Sequence, residues 1–433
     1  MPNLNRRQFV KSTLGSAATL ATAATAARPA RASANDAIHI ALIGTGGRYR
    51  AFVPELAARN DTPVVAVCDV DQRRMAVAAD NVERAQGRRP EFSGDYRKLL
   101  DDPSIDAVFI ATTHHWHAPI AVAALAAGKD VYLEKPGSHV FREGRAIVDM
   151  AAKHGRIVQH GTQMRSSDVL AKAGQVLASG LLGEIKMAKA WNVQRRAHPG
   201  PQPDGEPPAG VDYDMWLGPA PKRPFNPNRF HANWHAYRDY GNGDIGNDGA
   251  HDLDMARWGL GVEAHPIRIT AHGSRVDPST GERDFPDNTM VAYQYADGRV
   301  LLYEDRLWTP YRMDGFDSGN AFYGTKGYMI FSRRGYFQVY LGMQDEKGPS
   351  VEQGDTGMSA HVADFLDSLR SRRQPNASAQ VTHLSCGLIH LGEVACRVGR
   401  VIHFDPQAEQ ILADDEANAL LTKDYRAPWT LRT

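Results

Sequence analysis

Short apolar runs of strand length alternate with segments of helical spacing in the first part of the chain. Strands are expected at residues 38–43, 64–69, 107–112 and 130–133, and helices at residues 51–59, 119–127 and 145–153. This alternation predicts an α/β domain built on a doubly wound parallel sheet of the Rossmann type.

The second part of the chain has a different pattern, with several separated β-like runs. Strands are expected at residues 186–193, 267–272, 290–295, 299–303 and 328–331. About 400 residues are too many for one ordinary core, so two domains are expected.

The first residues have the character of an export signal. A mildly apolar run at residues 12–27 follows Arg6, Arg7 and Lys11 and precedes a small-x-small cleavage pattern at residues 30–32. The offsets of Phe9 and Lys11 from the two arginines favour a twin-arginine signal over an ordinary secretory one. We therefore expect a signal at 1–34, a dinucleotide-binding domain at 35–158, a substrate-binding and oligomerisation domain at 159–433, and a periplasmic or otherwise exported protein.

A glycine-rich turn follows the first strand. Gly44, Gly46 and Gly47 precede Arg48, and the second strand ends at Asp69, 25 positions after Gly44. This order is typical of a unit that binds a pyrophosphate at the glycine turn and the adenosine ribose at the acid. Capping of the following helix is the alternative role for Asp69. An acid at this place repels a 2'-phosphate, so NAD is favoured over NADP, although Arg73 and Arg74 moderate that preference.

The third glycine of the fingerprint is replaced by Tyr49, so the helix and strand are expected to pack less closely there.

Composition excludes several classes of partner. The 50 basic residues balance the 50 acidic residues, which gives no reason to expect a nucleic acid. No segment reaches transmembrane length. The three cysteines, Cys68, Cys386 and Cys396, are too few and too scattered for a disulfide framework, as expected for folding in a reducing compartment before export.

A lysine follows the strand at 130–133, in the sequence Glu134-Lys135-Pro136. Strand ends in such sheets face the ligand crevice, where a lysine can donate a hydrogen bond to a substrate hydroxyl. A lysine on a surface loop is the alternative, and the tripeptide alone does not decide.

Several separated motifs together resemble the Gfo/Idh/MocA family, the relatives of glucose-fructose oxidoreductase and inositol dehydrogenase. The matching segments are Glu134-Lys135-Pro136 and residues 112–117, 127–129, 161–163, 215–220, 246–254 and 324–327. The resemblance implies a Rossmann domain followed by an α/β domain with an open, mainly antiparallel sheet. It also implies a homo-oligomer and a sugar or polyol substrate.

The resemblance further implies site residues. Lys135 and His251 are expected to meet at the reacting hydroxyl, with His251 accepting its proton. The acid that the family has four residues before this histidine is Asn247 here, which can hydrogen-bond a hydroxyl but cannot take a proton. Asp254, one helical turn after His251, is a candidate to orient it. The positions expected on the cofactor side are Thr112, His117, Glu134 and Lys135.

Further substrate contacts are expected from Arg165 and from the aromatic and polar segment 230–240, which includes Trp234 and His235. Aromatic faces stack on sugar rings, although a structured surface loop is equally compatible with this segment. No metal site is expected, because His114, His115 and His117 are predicted to scatter on a short loop and lack a partner at metal-ligand spacing.

Two functions follow from these features. The first is an oxidoreductase that acts on a sugar or polyol with tightly held NAD. The second is an NAD-dependent glycoside hydrolase that oxidises a ring hydroxyl, eliminates the glycoside, adds water and reduces the ketone. A saccharide-binding protein without activity is a third possibility, disfavoured because Lys135 and His251 are both present.

Overall fold

The first domain is a parallel sheet covered by helices on both faces. A computed structural model describes residues 37–196, 200–276 and 283–431. The export signal expected at 1–34 therefore lies outside the described residues. The strands are β1 Ile40–Ile43, β2 Val64–Cys68, β3 Glu91–Ser93, β4 Ala107–Ile110, β5 Asp130–Leu133 and β6 Val158–His160. Their spatial order is β3-β2-β1-β4-β5-β6, with every pair parallel.

Helices connect these strands. They are α1 Phe52–Ala57, α2 Gln72–Gln86, α3 Tyr96–Leu100, α4 His114–Ala126 and α5 Phe141–His154. Asp71 caps α2 by accepting hydrogen bonds from the main-chain nitrogens of Arg73 and Arg74, and Gly87 ends that helix in the left-handed conformation.

A ten-stranded sheet forms the second domain. The remaining elements are α6 Asp168–Ala178, β7 Ile185–Asn192, α7 Tyr213–Leu217, α8 Gly243–Asn247, α9 Gly249–Leu260, β8 Arg268–Ser274, β9 Asn288–Gln294, β10 Val300–Arg306, β11 Ser318–Gly324, β12 Gly327–Ser332, β13 Tyr336–Leu341, β14 Glu346–Val351, α10 Met358–Ser371, α11 Ala379–Val398, β15 Ile402–Asp405, β16 Gln410–Ile411 and α12 Asp415–Ala419. The strand order is β14-β13-β12-β11-β7-β10-β9-β8-β15-β16, in which only β7 and β10 pair in parallel. The predicted fold class is confirmed.

Helices α9 and α11 pack on one face of the large sheet and form the main core of the second domain with it. This places the N-terminus of α9, which carries His251, near the end of the nucleotide-domain strands. Within the described residues, no helix combines the length and apolarity needed to cross a bilayer.

The two parts of the chain are interlocked. Helix α10 packs against the nucleotide sheet, where Phe365 meets Phe109 edge to face at 5.4 Å. Strand β6 also extends the parallel sheet to His160, just past the expected boundary at 158. The nucleotide domain is therefore completed by residues from the second half of the chain.

Candidate active site

A tight turn after β1 opens the nucleotide cleft. The main-chain nitrogen of Gly44 donates to the oxygen of Cys68 at 2.8 Å, and Gly44 has a φ of +89°. A Cβ at Gly44 would lie 2.6 Å from the carbonyl carbon of Ala111, whereas a Cβ at Gly47 would meet no atom within 4 Å. Gly44 is therefore needed for the turn itself, and Gly47 leaves its backbone open to a phosphate.

Tyr49, at the third glycine position, is accommodated inside the core. Its side chain is buried, and its hydroxyl accepts a hydrogen bond of 2.7 Å from Asn81. The chain begins as a 3-10 helix at Arg48–Ala51 and continues as α1 for only six residues. The helix predicted at 51–59 is therefore shorter than expected.

Asp69 stands at the end of β2 and lines the cleft with the glycine turn. Its Oδ2 accepts hydrogen bonds from the nitrogen and hydroxyl of Thr45 at 2.7 and 2.8 Å, and its Oδ1 accepts one of 3.0 Å from the nitrogen of Asp71. Asp71, not Asp69, caps α2. The capping role considered for Asp69 is thus taken by Asp71, and Asp69 is hydrogen-bonded to the glycine turn through Thr45.

The opposite wall of the cleft comes from the second domain. Trp216, His231 and Trp234 face Gly46, Arg48, Asp69 and Thr112 across it, and Trp116 and Arg74 also line it. His231 is held by a 2.9 Å contact between its Nε2 and Asp71 Oδ2. Trp116 and Trp216 lie in the motifs 112–117 and 215–220, and His231 lies in the segment 230–240 expected at the substrate, but no sequence pattern placed these three side chains in the nucleotide cleft. Trp234 was expected at the substrate, and the structure places it in this cleft with its ring edge-on to His114 at 4.6 Å.

Glu134 links the glycine turn to the lysine. Arg48 Nε donates to Glu134 Oε1 at 2.6 Å, and Glu134 is buried. Although burial opposes its ionisation, the positive charges of Arg48 and Lys135 hold the pKa of Glu134 below its ordinary value. A Cβ at Gly161 would lie 2.6 Å from Glu134 Oε1, which explains the glycine there. Glu134 does not line the cleft, so its contact with Arg48 is the role that the structure shows.

Lys135 reaches from the nucleotide domain to the second domain. Its Nζ donates to the main-chain oxygen of Asn247 and lies 3.5 Å from Asn247 Oδ1. Burial lowers the pKa of Lys135, while the nearby carboxylates of Asp248 and Glu134 act in the opposite direction. Asn247 is thus in direct contact with the lysine, as expected for a shared site.

His251 lies in the first turn of α9 and is 5% exposed. Burial lowers its pKa well below the ordinary value of 6.5, and the charges of Arg333 and Lys135 add to this effect. Within the described residues, no group hydrogen-bonds to its Nδ1. The structure therefore brings a neutral imidazole into the field of the Lys135 ammonium.

Asp248 supplies the negative charge beside this pair. Its carboxylate binds Arg196 and Arg333, the latter at 3.1 Å. Burial opposes its ionisation, but Lys135, Arg333 and Arg196 lower its pKa to about 2.

Arg165 and Asp254 have a different arrangement from the one expected. Arg165 binds the Asp254 carboxylate through two nitrogens at 2.7–3.0 Å, and Ser385 donates to the same carboxylate at 2.6 Å. Both side chains of the ion pair are at least nine-tenths buried. Because these partners occupy Asp254, the carboxylate does not orient His251 through Nδ1.

His114, His115 and His117 lie on the first turns of α4. The prediction that they lie on a short loop is therefore wrong. His114 contacts Asn242 Oδ1 at 3.2 Å, and His115 contacts the carbonyls of Tyr240 and Trp216 at 3.3 and 3.2 Å. The polar atoms that they contact therefore belong to the second domain. Both rings are buried, and burial lowers both pKa values.

His117 joins two segments of the nucleotide domain. Its Nδ1 lies 2.7 Å from the carbonyl of Pro136, and its Nε2 lies 3.2 Å from that of Thr112. His117 does not line the cleft. It connects the turn that carries Lys135 to Thr112, which does line the cleft.

His235 lies on the substrate-domain side of the site. Its Nε2 is 4.0 Å from Asp244 Oδ2, and burial lowers its pKa. The charge of Lys135 acts on it as well, which places His235 in the electrostatic environment of the lysine.

Comparison with known proteins gives relatives along most of the chain. A glycosyl hydrolase family 109 protein of Stenotrophomonas maltophilia is 27% identical over 75% of this chain and 73% of its own length. Inositol 2-dehydrogenase 2 of Saccharopolyspora erythraea is 28% identical over 62% of this chain and 66% of its own. A solved levoglucosan dehydrogenase in complex with NADH and levoglucosan superposes with a TM-score of 0.66 at 21% identity, over 85% of this chain and 99% of that one.

Residues 38–162 match the oxidoreductase-family NAD-binding Rossmann fold, and residues 187–431 match the oxidoreductase-family C-terminal α/β domain. The chain therefore belongs to the Gfo/Idh/MocA oxidoreductase family.

Proposed function

We propose that this protein oxidises a hydroxyl group of a sugar or polyol with NAD that stays bound through turnover. The observation that carries the proposal is the placement of Lys135 and His251, a partly buried ammonium and a neutral imidazole at the boundary of the two domains. Alcohol oxidation needs this combination, because one group must stabilise the oxygen and another must accept its proton.

The cleft fits a dinucleotide. Gly44 allows the close turn, Gly47 leaves the backbone open to phosphate, and Asp69 offers a carboxylate for ribose hydroxyls. Bound NAD would supply the hydride acceptor. Arg74 lies 3.3 Å from a Cβ position at Gly46, close enough to moderate the preference for NAD over NADP.

The chain's own residues then act on the substrate hydroxyl. Lys135 donates a hydrogen bond to its oxygen, and His251 accepts its proton at a ring nitrogen. Asn247 holds the lysine in place, while Asp248 keeps a negative charge near the ammonium. The low pKa of His251 keeps the imidazole free to accept a proton at neutral pH.

A sugar or polyol is the substrate class that the relatives support. One relative is an inositol dehydrogenase, and a structural neighbour contains levoglucosan. The ring of Trp234 offers an aromatic surface in the cleft, which Thr112 also lines, and it lies edge-on to His114.

Retention of the cofactor follows from the proposed export. If residues 1–34 are a twin-arginine signal, the enzyme crosses the membrane folded and operates where no free NAD is available. Each turnover must then return the hydride to a second substrate or to the same one.

Redox-neutral glycoside hydrolysis is the second candidate, and the 27% identical family 109 relative favours it. This reaction requires an additional base to remove a carbon-bound proton. His235, 4.0 Å from Asp244, is the candidate base in the field of Lys135.

One experiment tests the proposal and separates the two candidates. The purified protein is mixed with a panel of free sugars, polyols and aryl glycosides, and both NADH formation and aglycone release are followed. Reduction of the bound cofactor by a free sugar or polyol supports the oxidoreductase, whereas catalytic aglycone release without net reduction supports the hydrolase. Neither signal with any member of the panel contradicts both.

A further inference from the structure

A second polar cluster lies outside the nucleotide cleft. It consists of His265, which precedes β8, His383 in the second turn of α11, and Glu409 in the turn between β15 and β16. All three side chains are buried, and we call them the His-His-Glu cluster. It shares no residue with the lining of the nucleotide cleft, so the proposed oxidoreductase activity leaves it unexplained.

The three side chains converge on one point. The Nε2 atoms of His265 and His383 are 3.4 Å apart, and they lie 3.7 and 2.8 Å from Glu409 Oε1. A triangle of these dimensions has a centre about 2 Å from each atom, which is the length of zinc–nitrogen and zinc–oxygen bonds. The spacing of the three donor atoms is therefore compatible with a divalent transition metal ion.

Hydrogen bonding within the protein accounts only partly for the cluster. Only one proton fits between the two Nε2 atoms, and Nδ1 of His265 is buried without a hydrogen-bond partner among the described residues. The polar contacts of His265 thus all converge at Nε2, where the other two ligand atoms lie. Burying an imidazole in this way is costly unless a further partner is bound there.

Surrounding residues hold the ligands in place. Arg145 donates to both carboxylate oxygens of Glu409, from Nε to Oε2 at 3.1 Å and from a terminal nitrogen to Oε1 at 2.5 Å, and the ring of Phe141 lies 5.0 and 4.9 Å from the two imidazoles. A Cβ at Gly387 would lie 2.4 Å from His265 Cε1, so the small residue makes room for that ring. Such supporting contacts orient metal ligands in known sites.

The cluster opens to the surface. His265 and Glu409 line a cleft that also contains Glu263, Asp405 and Gln407. This opening gives an ion a path of entry to two of the three ligands. The two nearby carboxylates offset the charge of Arg145, which is paired with Glu409.

We propose that the His-His-Glu cluster binds a zinc-like divalent metal ion. The ligands come from α11, from the β15–β16 turn and from the segment before β8, and Arg145 and Phe141 belong to α5 of the nucleotide domain. The ion would bind the turn of the β15–β16 hairpin to α11 and to the segment before β8. Its function is structural, and the proposal stands independently of the hydride chemistry.

The test is a Zn²⁺ titration of tag-free, chelator-treated protein, followed by calorimetry and thermal unfolding. The wild type is expected to bind one equivalent and to unfold at a higher temperature with Zn²⁺. His265→Gln and Glu409→Gln are expected to weaken binding by more than about tenfold, because even outer-shell partners of metals are worth about 10–100-fold.

His403→Gln is the matched control, because His403 is an exposed histidine on β15 next to the cluster. It is expected to bind Zn²⁺ as the wild type does. Glu409→Gln keeps the size of the side chain, and the circular dichroism spectrum of each variant reports whether the fold is intact. Failure of the wild type to bind one equivalent, or unchanged binding in both cluster variants, would overturn the proposal and leave a hydrogen-bonded cluster.

Discussion

The Lys135 ammonium donates a hydrogen bond to the main-chain oxygen of Asn247 and thereby joins the lysine turn of the nucleotide domain to the helix pair of the second domain. The contact uses the backbone of residue 247, so it does not require a carboxylate at that position. Asp248 provides the negative charge instead, since its carboxylate is among the groups that act on the pKa of Lys135.

Replacing the lysine separates cofactor binding from chemistry. We expect Lys135→Ala to keep its bound NAD, because Lys135 does not line the nucleotide cleft. Reduction of that NAD by substrate should slow by about 10²-fold or more, the range typical of a lost proton-transfer or hydrogen-bonding group. The measurement is single-turnover NADH formation, with the exposed Lys98→Ala as control. Unimpaired reduction would remove Lys135 from the mechanism.

His251 sets the pH dependence of the same step. Because its pKa is well below 6.5, the imidazole is neutral through the range in which an ordinary histidine becomes protonated. Single-turnover rates should therefore show no loss centred on pH 6.5, and His251→Asn should be slower by about 10²–10⁴-fold. A wild-type rate that falls tenfold per pH unit below 6.5 would contradict a buried neutral base.

Asp69 has two contacts that can be separated by substitution. Asp69→Ala removes the carboxylate from the cleft, and we expect NAD to dissociate at least about tenfold faster, the equivalent of about 1.4 kcal/mol. Thr45→Val removes one hydrogen bond to Asp69 but keeps the carboxylate, so its effect should be smaller. Equal dissociation rates in the two variants would show that Asp69 serves the turn and not the ribose.

Arg165 was expected to contact substrate, but its burial against Asp254 predicts an effect on stability. Arg165→Leu leaves a buried carboxylate without its cation and should lower the free energy of unfolding by about 3–5 kcal/mol. The double variant Arg165→Leu/Asp254→Leu should recover part of this loss. Urea unfolding measures both, and a single variant of normal stability with only a raised KM would restore the substrate role.

Acid should destabilise the protein. Five buried histidines have pKa values lowered by burial to about 3 or about 4: His115, His160, His265, His361 and His390. Unfolding exposes these rings to an ordinary pKa of 6.5, so the unfolded chain binds more protons below that pH. Each ring then contributes a loss of about 1.4 kcal/mol per pH unit as the pH falls from 6.5 towards its folded value.

Asp252 acts in the opposite direction, since burial raises its pKa to about 7, and this offsets part of the loss. Urea midpoints measured at about pH 7.5 and about pH 5.5 check the prediction. The midpoint should be clearly lower at the acidic pH. Equal midpoints would contradict the burial of neutral imidazoles.

Much of the fold follows from local sequence. Short apolar runs and the turn residues that flank them predict β2, β4 and β5 to within two residues. Buried parallel strands have this pattern because both of their faces are covered. The packing of α10 on the nucleotide sheet could not be predicted in the same way. It depends on a contact between Phe109 and Phe365, which no local pattern connects.

The site was predictable only where function follows a strand end or a family motif. Gly44, Asp69, Lys135 and His251 are of this kind. Trp216 in α7 and His231 in the segment 230–240 reach the cleft from positions that no local pattern connects with the glycine turn, and the His-His-Glu cluster joins residues separated by 118 and 26 positions. The spacing of these three residues along the chain therefore did not indicate a metal site. The expectation that no metal site is present rested on the histidines of α4 alone.

The most direct measurement is the amount and redox state of nicotinamide cofactor released when the purified protein is denatured, with none added during preparation. A tightly bound cofactor predicts close to one NAD or NADH per chain, partly reduced after incubation with a substrate sugar. Protein that is fully folded but carries no cofactor would contradict an enzyme that retains NAD through turnover.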